Sequence, residues 1–171
     1  MKNPTLFKFS VATIAAGLVV PAFATPMSVP SEESPAYTVD VPADWNPKVG
    51  KEDESLEATE PGNHVYVSGW IVTKSDVNEL KGDIAGLLKD SMKSVDPDTK
   101  DETIENNGVQ FTVVHGSGID KREGGKVKFF VALFPAGSGK IGIVYADWDA
   151  DAPADATQKL NNLMNSIKVK A

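Results

Sequence analysis

The chain is 171 residues long, contains no cysteine and carries a formal net charge of −7. The absence of cysteine excludes disulfides, thiol nucleophiles, cysteine-ligated metals and a lipid-modified cysteine. Because a negatively charged protein repels nucleic acid phosphates and anionic lipid surfaces, neither is an expected partner.

The first 24 residues have the three parts of a secretory signal peptide. Lys2 and Lys8 form a basic start, residues 9–23 are uncharged and mostly apolar, and Ala22-Phe23-Ala24 supplies a small-x-small cleavage pattern. We expect cleavage after Ala24, and the alternative is an uncleaved N-terminal anchor. Cleavage removes 24 residues and two lysines, which leaves 147 residues with a net charge of −9. The sequence therefore predicts a soluble periplasmic or secreted protein, monomeric by default.

The region after the signal peptide begins with a segment of unusual composition. Residues 25–36 contain three prolines, three serines and two glutamates, which predicts a disordered or extended leader. A single domain is predicted over residues 37–171. Period-two alternation predicts strands over residues 37–41 and 64–72, with a short polar strand at 55–59. Trp45 follows the first of these strands, and we interpret it as a buried core residue, the alternative being an exposed ligand-stacking tryptophan.

A helix is predicted from Ser75, a favourable N-cap, to the residues just before Pro97. Its apolar stripe recurs at three- and four-residue spacing, and it consists of Val77, Leu80, Ile84, Leu87, Leu88, Met92 and Val95.

The second half of the domain is predicted to be a meander of strands followed by a second helix. Asn107-Gly108 is a strong hairpin signal. Gly116 to Gly125 is glycine-rich and charged, which predicts a mobile loop. Pro153 suits the first turn of the last helix, which runs to Ile167. The strands flanking these turns are predicted at residues 99–105, 109–115, 126–134 and 140–148.

The segment from Lys126 to Trp148 is the richest core-forming stretch of the domain. Both faces of its strands are largely apolar, so it is predicted to lie near the middle of a sheet. The element order is β-β-β-α-β-β-β-β-α. It predicts an α+β fold in which an antiparallel sheet of about six to seven strands lies between two helices, an α/β/α sandwich.

The residues Tyr37-Thr-Val-Asp-Val-Pro-Ala-Asp-Trp45 resemble the opening strand-Pro-x-x-Trp element of the PsbP/DcrB-like family. The helix after the third strand, the Asn-Gly hairpin and the last helix, ending in Asn165-Ser166-Ile167, are also similar to that family. The resemblance covers nearly all of Tyr37 to Val169. It implies a binding or assembly module, and it carries over no catalytic residue and no cofactor.

Two motifs invite a ligand-binding interpretation. Asp147, Asp149 and Asp151 are the only metal candidates, as calcium ligands, but the pattern departs from an EF-hand loop and fits an acidic strand-to-helix connection. Gly137-Ser-Gly139-Lys140 is similar to part of a phosphate-binding loop, yet a strand follows it, and we interpret it as a hairpin turn.

The histidines offer little for catalysis. His64 and His115 are both predicted at strand ends, and neither has a third group placed for a catalytic triad or a metal site. Ser117 lacks the strand-to-helix turn of a hydrolase nucleophile.

Two functions stay open on the sequence alone. The first is a non-catalytic periplasmic module that binds an unknown envelope protein through loops Lys48–Glu54 and Gly116–Gly125. The second is a small-ligand carrier or weak hydrolase with a cleft near Trp45, Trp148 and the acidic loop 147–155.

Overall fold

The computed structural model describes residues 24–49, 55–73, 77–98 and 100–170. Residues 1–23 of the predicted signal peptide, Ser75 and residues 50–54 of the first predicted binding loop lie outside the described residues. The described part contains eleven strands and two longer helices, with a short 3-10 helix at Ala43–Trp45. The helices are α1, Val77–Ser91, and α2, Ala154–Asn165. The strands are β1 Ala24–Val29, β2 Tyr37–Pro42, β3 Lys48–Val49, β4 Leu56–Thr59, β5 Val65–Thr73, β6 Met92–Pro97, β7 Glu102–Asn106, β8 Val109–Asp120, β9 Lys126–Pro135, β10 Lys140–Asp149 and β11 Lys168–Val169.

Eight of these strands form one antiparallel sheet in the order β3-β4-β5-β10-β9-β8-β6, and β7 also pairs with β8. β9 and β10 lie near its centre, as the apolar character of both their faces predicts. Their turn is a hairpin in which Gly137, Ser138 and Gly139 all have positive φ, so the interpretation of this motif as a turn is confirmed. The Asn107-Gly108 hairpin is also confirmed, with φ of 53° and 73°.

Of the disordered or extended leader predicted at residues 25–36, the disordered alternative is wrong. Residues 24–29 form β1, which pairs antiparallel with β2 over six residue pairs, and β11 pairs with the other edge of β2. Val29 is fully buried, and its carbonyl accepts a hydrogen bond of 2.7 Å from the backbone N–H of Ala36. Burial of apolar side chains here outweighs a proline- and serine-rich composition.

The two faces of the large sheet bury different apolar clusters, because successive strand residues point to opposite sides. Phe129 of β9 belongs to the cluster that contains Leu80 of α1. Its neighbour Phe130 belongs to the other cluster, together with Leu160 and Leu163 of α2. The three-stranded sheet packs into this second cluster through residues such as Tyr37 and Val39. The fold is therefore α+β with antiparallel sheets, and it contains more strands than predicted.

Helix α1 ends earlier than its apolar stripe suggests. The chain becomes strand at Met92, so Val95 lies on an edge strand and is 37% exposed. Met92 is buried, and its sulfur packs over Gly118 of β8. The spacing of Met92 and Val95 fitted a helix, but these two residues lie in strand β6.

The prediction of a mobile loop over Gly116–Gly125 is wrong for its first half. β8 continues to Asp120, and only residues 121–125 form the turn to β9. A Cβ atom at Gly116 would collide with the ring of Phe129, so this glycine permits close packing within the sheet.

Helix α2 begins at Ala154, with Pro153 as its N-cap residue and without a side-chain cap hydrogen bond. Asp155 lies in its first turn, where a negative charge interacts favourably with the helix dipole. Neither helix in the described ranges is long and apolar enough to cross a bilayer.

Candidate functional site

The acidic exit of β10 brings two predicted residues onto one face of the sheet. Asp147 and Asp149 are two residues apart in a strand, so their side chains point to the side of the sheet that packs against α1. Tyr145 precedes them on the same side, and its hydroxyl donates a 2.5 Å hydrogen bond to Oδ2 of Asp147. Burial raises the pKa of Asp147, because water no longer solvates its charge fully.

Asp149 has a different partner. Its Oδ2 lies 2.9 Å from Nδ1 of His64, the residue just before β5. The carboxylate of Glu60 accepts the backbone N–H of His64 on the other side. This histidine therefore lies between carboxylates, in a partly exposed position.

Two of the three predicted calcium ligands are already engaged by other side chains. Asp147 is engaged by Tyr145 and Asp149 by His64, while Asp151 follows in a turn in which the N–H of Ala152 donates to the carbonyl of Asp149. In the part of the chain that the structure describes, no group of three or more histidine, aspartate or glutamate residues is arranged to hold a metal ion. The three aspartates therefore carry no metal proposal.

The titration of His64 provides a direct test of this geometry. The hydrogen bond with Asp149 raises the pKa of His64, and Glu60 and Asp151 add electrostatic attraction. The interaction therefore stabilises the fold below the ordinary histidine pKa of about 6.5 and is lost as pH rises through the raised value. We expect the ring protons of His64 to titrate above about 6.5 and the midpoint to fall in Asp149→Asn. A midpoint unchanged by this substitution, followed by NMR, would contradict the contact.

The two tryptophans of the predicted ligand cleft differ in environment. Trp45 is 0% exposed and belongs to the α2-side cluster, so its interpretation as a core residue is confirmed. Trp148 is half-buried, and its ring centroid lies 6.0 Å from that of Phe130. The prediction that Trp45 lines a ligand cleft is therefore wrong, since a fully buried indole cannot stack on a ligand.

A cavity of about 210 Å³ lies between the β1–β2 pair and α2. Two of its polar side chains, Lys159 and Ser166, already have partners within the protein. Lys159 Nζ lies 2.5 Å from Oδ2 of Asp44, and the backbone N–H of Asp40 donates to Ser166 Oγ at 2.8 Å. Groups that already form an ion pair or a hydrogen bond within the protein are less available to bind a ligand.

A larger cavity, of about 310 Å³, lies on the α2 side of the large sheet at the corner formed by β6, β8 and β9. Every residue lining it belongs to these strands, apart from Ala150 just after β10. Neither α2 nor the three-stranded sheet contributes to the lining, so the second layer leaves this corner uncovered. We call it the open corner and define it by Ser94, Asp96, Ser117, Ile119, Lys126 and Lys128.

Strand register explains how the open corner is assembled. Lys126 and Lys128 alternate with buried Val127, so both lysines project to the side opposite α1. Ser117 of β8 lies directly opposite Lys128, and Ile119 lies opposite Lys126. On the other side of β9, Lys128 faces Trp148 of β10.

The two lysines of the open corner are exposed and unpaired. Neither forms an ion pair with a described residue, although the chain has 24 acidic residues against 17 basic ones. In an acidic protein, two unpaired cations side by side form a local region of opposite charge. Such a region attracts anions at short range.

The structure does not bring His64 and His115 together. His115 lies on the α2 side of β8, where its ring is 6.3 Å from that of Phe130 and its Nε2 is 3.7 Å from Oε2 of Glu102. His64 pairs with Asp149 on the α1 side. The two histidines thus lie on opposite faces of one sheet and do not form a shared site.

Sequence reasoning missed the open corner, although one signal for it was present. In Lys126-Val-Lys128 a pair of like charges occupies one face of an otherwise apolar strand. This alternation predicts an uncovered patch at the start of β9. The neighbouring Ser117 and Asp96 depend on strand register, which the sequence pattern alone does not fix.

No family model matches the chain, and no curated protein matches it. Among solved structures, it is similar to a crystal structure of a protein from Bacteroides thetaiotaomicron VPI-5482, with a TM-score of 0.52 and 12% sequence identity. The match covers 81% of this chain and 47% of that chain, so this chain spans about half the length of the structure it matches. At this identity the likeness concerns the fold alone.

Proposed function

We propose that the protein is a non-catalytic exported module that binds an envelope or periplasmic protein through the open corner. The signal-peptide pattern of residues 1–24 supports export. We further propose that the domain is an α/β/α sandwich of the PsbP/DcrB-like type. The packing of α1 and α2 against opposite faces of the large sheet supports this architecture.

The observation that carries the binding proposal is the uncovered corner of the large sheet. In the middle of the α2 side of this sheet the second layer covers the side chains, as Phe130 at 7% exposure illustrates. At the corner the strands continue beyond that cover, with Lys126, Lys128 and Ser117 exposed. A concave surface with unpaired charges and adjacent aromatic side chains is typical of an interaction site.

A carrier or hydrolase function has weaker support. The burial of Trp45 removes one wall of the cleft that such a function would use. His64 forms a carboxylate–histidine pair with Asp149, but the described hydrogen bonds of its ring include no hydroxyl nucleophile. We therefore favour binding over catalysis.

Site-specific photo-cross-linking in cells tests the proposal. A photoreactive amino acid at exposed Ser117 is expected to yield a discrete adduct with one envelope protein. The same group at exposed Asp83 of α1 is the matched control and is expected to give no such adduct. Equal adducts at both positions, or none at Ser117, would count against the open corner as a binding surface.

A further inference from the structure

We infer that the open corner recognises an extended, acidic polypeptide segment in which two carboxylates lie two residues apart. This inference rests on the proposed function, and it specifies the chemistry of the partner at the same surface. It depends on the spacing of the two lysines, on the apolar residues beside them and on the charge of the whole chain.

The spacing of Lys126 and Lys128 matches that of alternate side chains in another extended chain. Residues two apart in a strand are separated by about 6.8 Å, and both lysines lie on one face. Carboxylates at positions i and i+2 of an extended segment have the same separation. A segment that runs along β9 can therefore pair both carboxylates at once, whereas adjacent carboxylates point to opposite sides.

Apolar contacts at the corner add to the binding free energy of the ion pairs. An exposed ion pair contributes only about 0–1 kcal/mol, so two of them do not hold a partner alone. Half-buried Ile119 lies opposite Lys126, and half-buried Trp148 lies opposite Lys128. Because the residue between two such carboxylates points away from the corner, this apolar surface is offered to the aliphatic stems of the acidic residues themselves.

The charge of the chain favours a short acidic segment over a polyanion. The net charge of −7 repels any ligand whose negative charges extend well beyond the corner, such as an anionic membrane or a nucleic acid. Asp96, which also lines the cavity, repels anions on the β6 side. The negative groups of the ligand must therefore be few, and they must lie over β9.

Fluorescence anisotropy with labelled peptides tests the inference on the purified full chain. The probe is a short peptide in which glutamates alternate with valines, and its control is an isomer with the glutamates adjacent. We expect the alternating peptide to bind more tightly than its isomer. Neutralising both lysines in the variant Lys126→Gln/Lys128→Gln is expected to weaken its binding by about tenfold.

Matched variants separate the corner from general charge effects. Lys89→Gln/Lys168→Gln removes the same charge at exposed positions on α1 and β11, and it is expected to leave binding unchanged. Asp96→Asn removes the repulsive carboxylate and is expected to strengthen binding. Each variant is first compared with the parent chain by circular dichroism, so that loss of the fold is not mistaken for loss of binding.

The inference is overturned if the two peptides bind equally, or if both lysine pairs have the same effect. It is also overturned if anionic lipid vesicles bind in a Lys126- and Lys128-dependent way while the peptide does not. A specific Ser117 adduct in cells without peptide binding would reject the acidic segment and leave the proposed function standing. Peptide binding without any Ser117 adduct would reject the proposed function instead.

Discussion

Replacing Val29 with aspartate is expected to destabilise the fold by about 4 kcal/mol or more, since it places an unpaired charge in the core. Val29 is 0% exposed and lies opposite Tyr37 at the end of the β1–β2 ladder. Urea unfolding followed by circular dichroism measures the change. If residues 25–36 were a disordered leader, the substitution would have almost no effect.

Two further variants make this test decisive. Val29→Ala is expected to cost about 2 kcal/mol, which keeps the measurement possible if Val29→Asp does not fold. Glu33→Ala changes an exposed residue of the same segment and is expected to lie within about 0.5 kcal/mol of the parent chain. Equal stabilities for all these variants would show that β1 does not pack in solution.

Adding one methyl group at Gly69 is expected to cost about 1–3 kcal/mol, because the added Cβ atom has no room. It would lie 2.5 Å from the hydroxyl oxygen of Tyr37, which projects from β2 onto β5. Removing that oxygen with Tyr37→Phe should relieve most of the cost. The clash exists only if the three-stranded sheet packs on the large sheet as described.

The hydroxyl of Tyr37 is itself unfavourable. It is buried without a hydrogen-bond partner among the described residues, and burial raises the pKa of Tyr37 far above its ordinary value. Tyr37→Phe alone is therefore expected to be neutral or to stabilise the protein by about 1 kcal/mol.

A double-mutant cycle combines these two sites. We expect a coupling energy of about 1–2 kcal/mol between Gly69→Ala and Tyr37→Phe. Gly86→Ala in α1 is the matched control, since open space surrounds the added Cβ and the helix gains up to about 1 kcal/mol. An equal cost of Gly69→Ala in both backgrounds would contradict the packing of the two sheets.

The sequence was most informative where the apolar pattern was strong. Alternation in β5 and the apolar runs of β9 and β10 predicted strands that the structure contains with nearly the same limits. The Asn107-Gly108 turn was equally clear, because few residues other than glycine and asparagine adopt its positive φ angles readily.

The misassigned segments are those in which tertiary contacts override local signals. Residues 25–36 have a composition typical of disorder, yet Val29 is buried against residues distant in sequence. Met92 continued a helical stripe, but the chain turns there to pair with β8. Neither outcome is encoded in a local pattern, because each depends on a neighbour supplied by the fold.

In the candidate site, too, local sequence patterns were predictable and tertiary contacts were not. The alternating lysines of β9 could be read from the sequence, and so could the acidic exit of β10. Whether Asp149 finds His64, or Lys128 faces Trp148, depends on which strands are neighbours and in what register. The sequence could therefore suggest the charged groups but not their partners.

The central claim is that the open corner binds an envelope protein through its two lysines. The most direct measurement is the yield of the Ser117 photo-adduct in cells, compared between the parent chain and Lys126→Gln/Lys128→Gln. We predict a discrete adduct in the parent chain that disappears in the double variant, while the Lys89→Gln/Lys168→Gln control retains it. An adduct that is absent from the parent chain, or that persists when both corner lysines are neutralised, would contradict the claim.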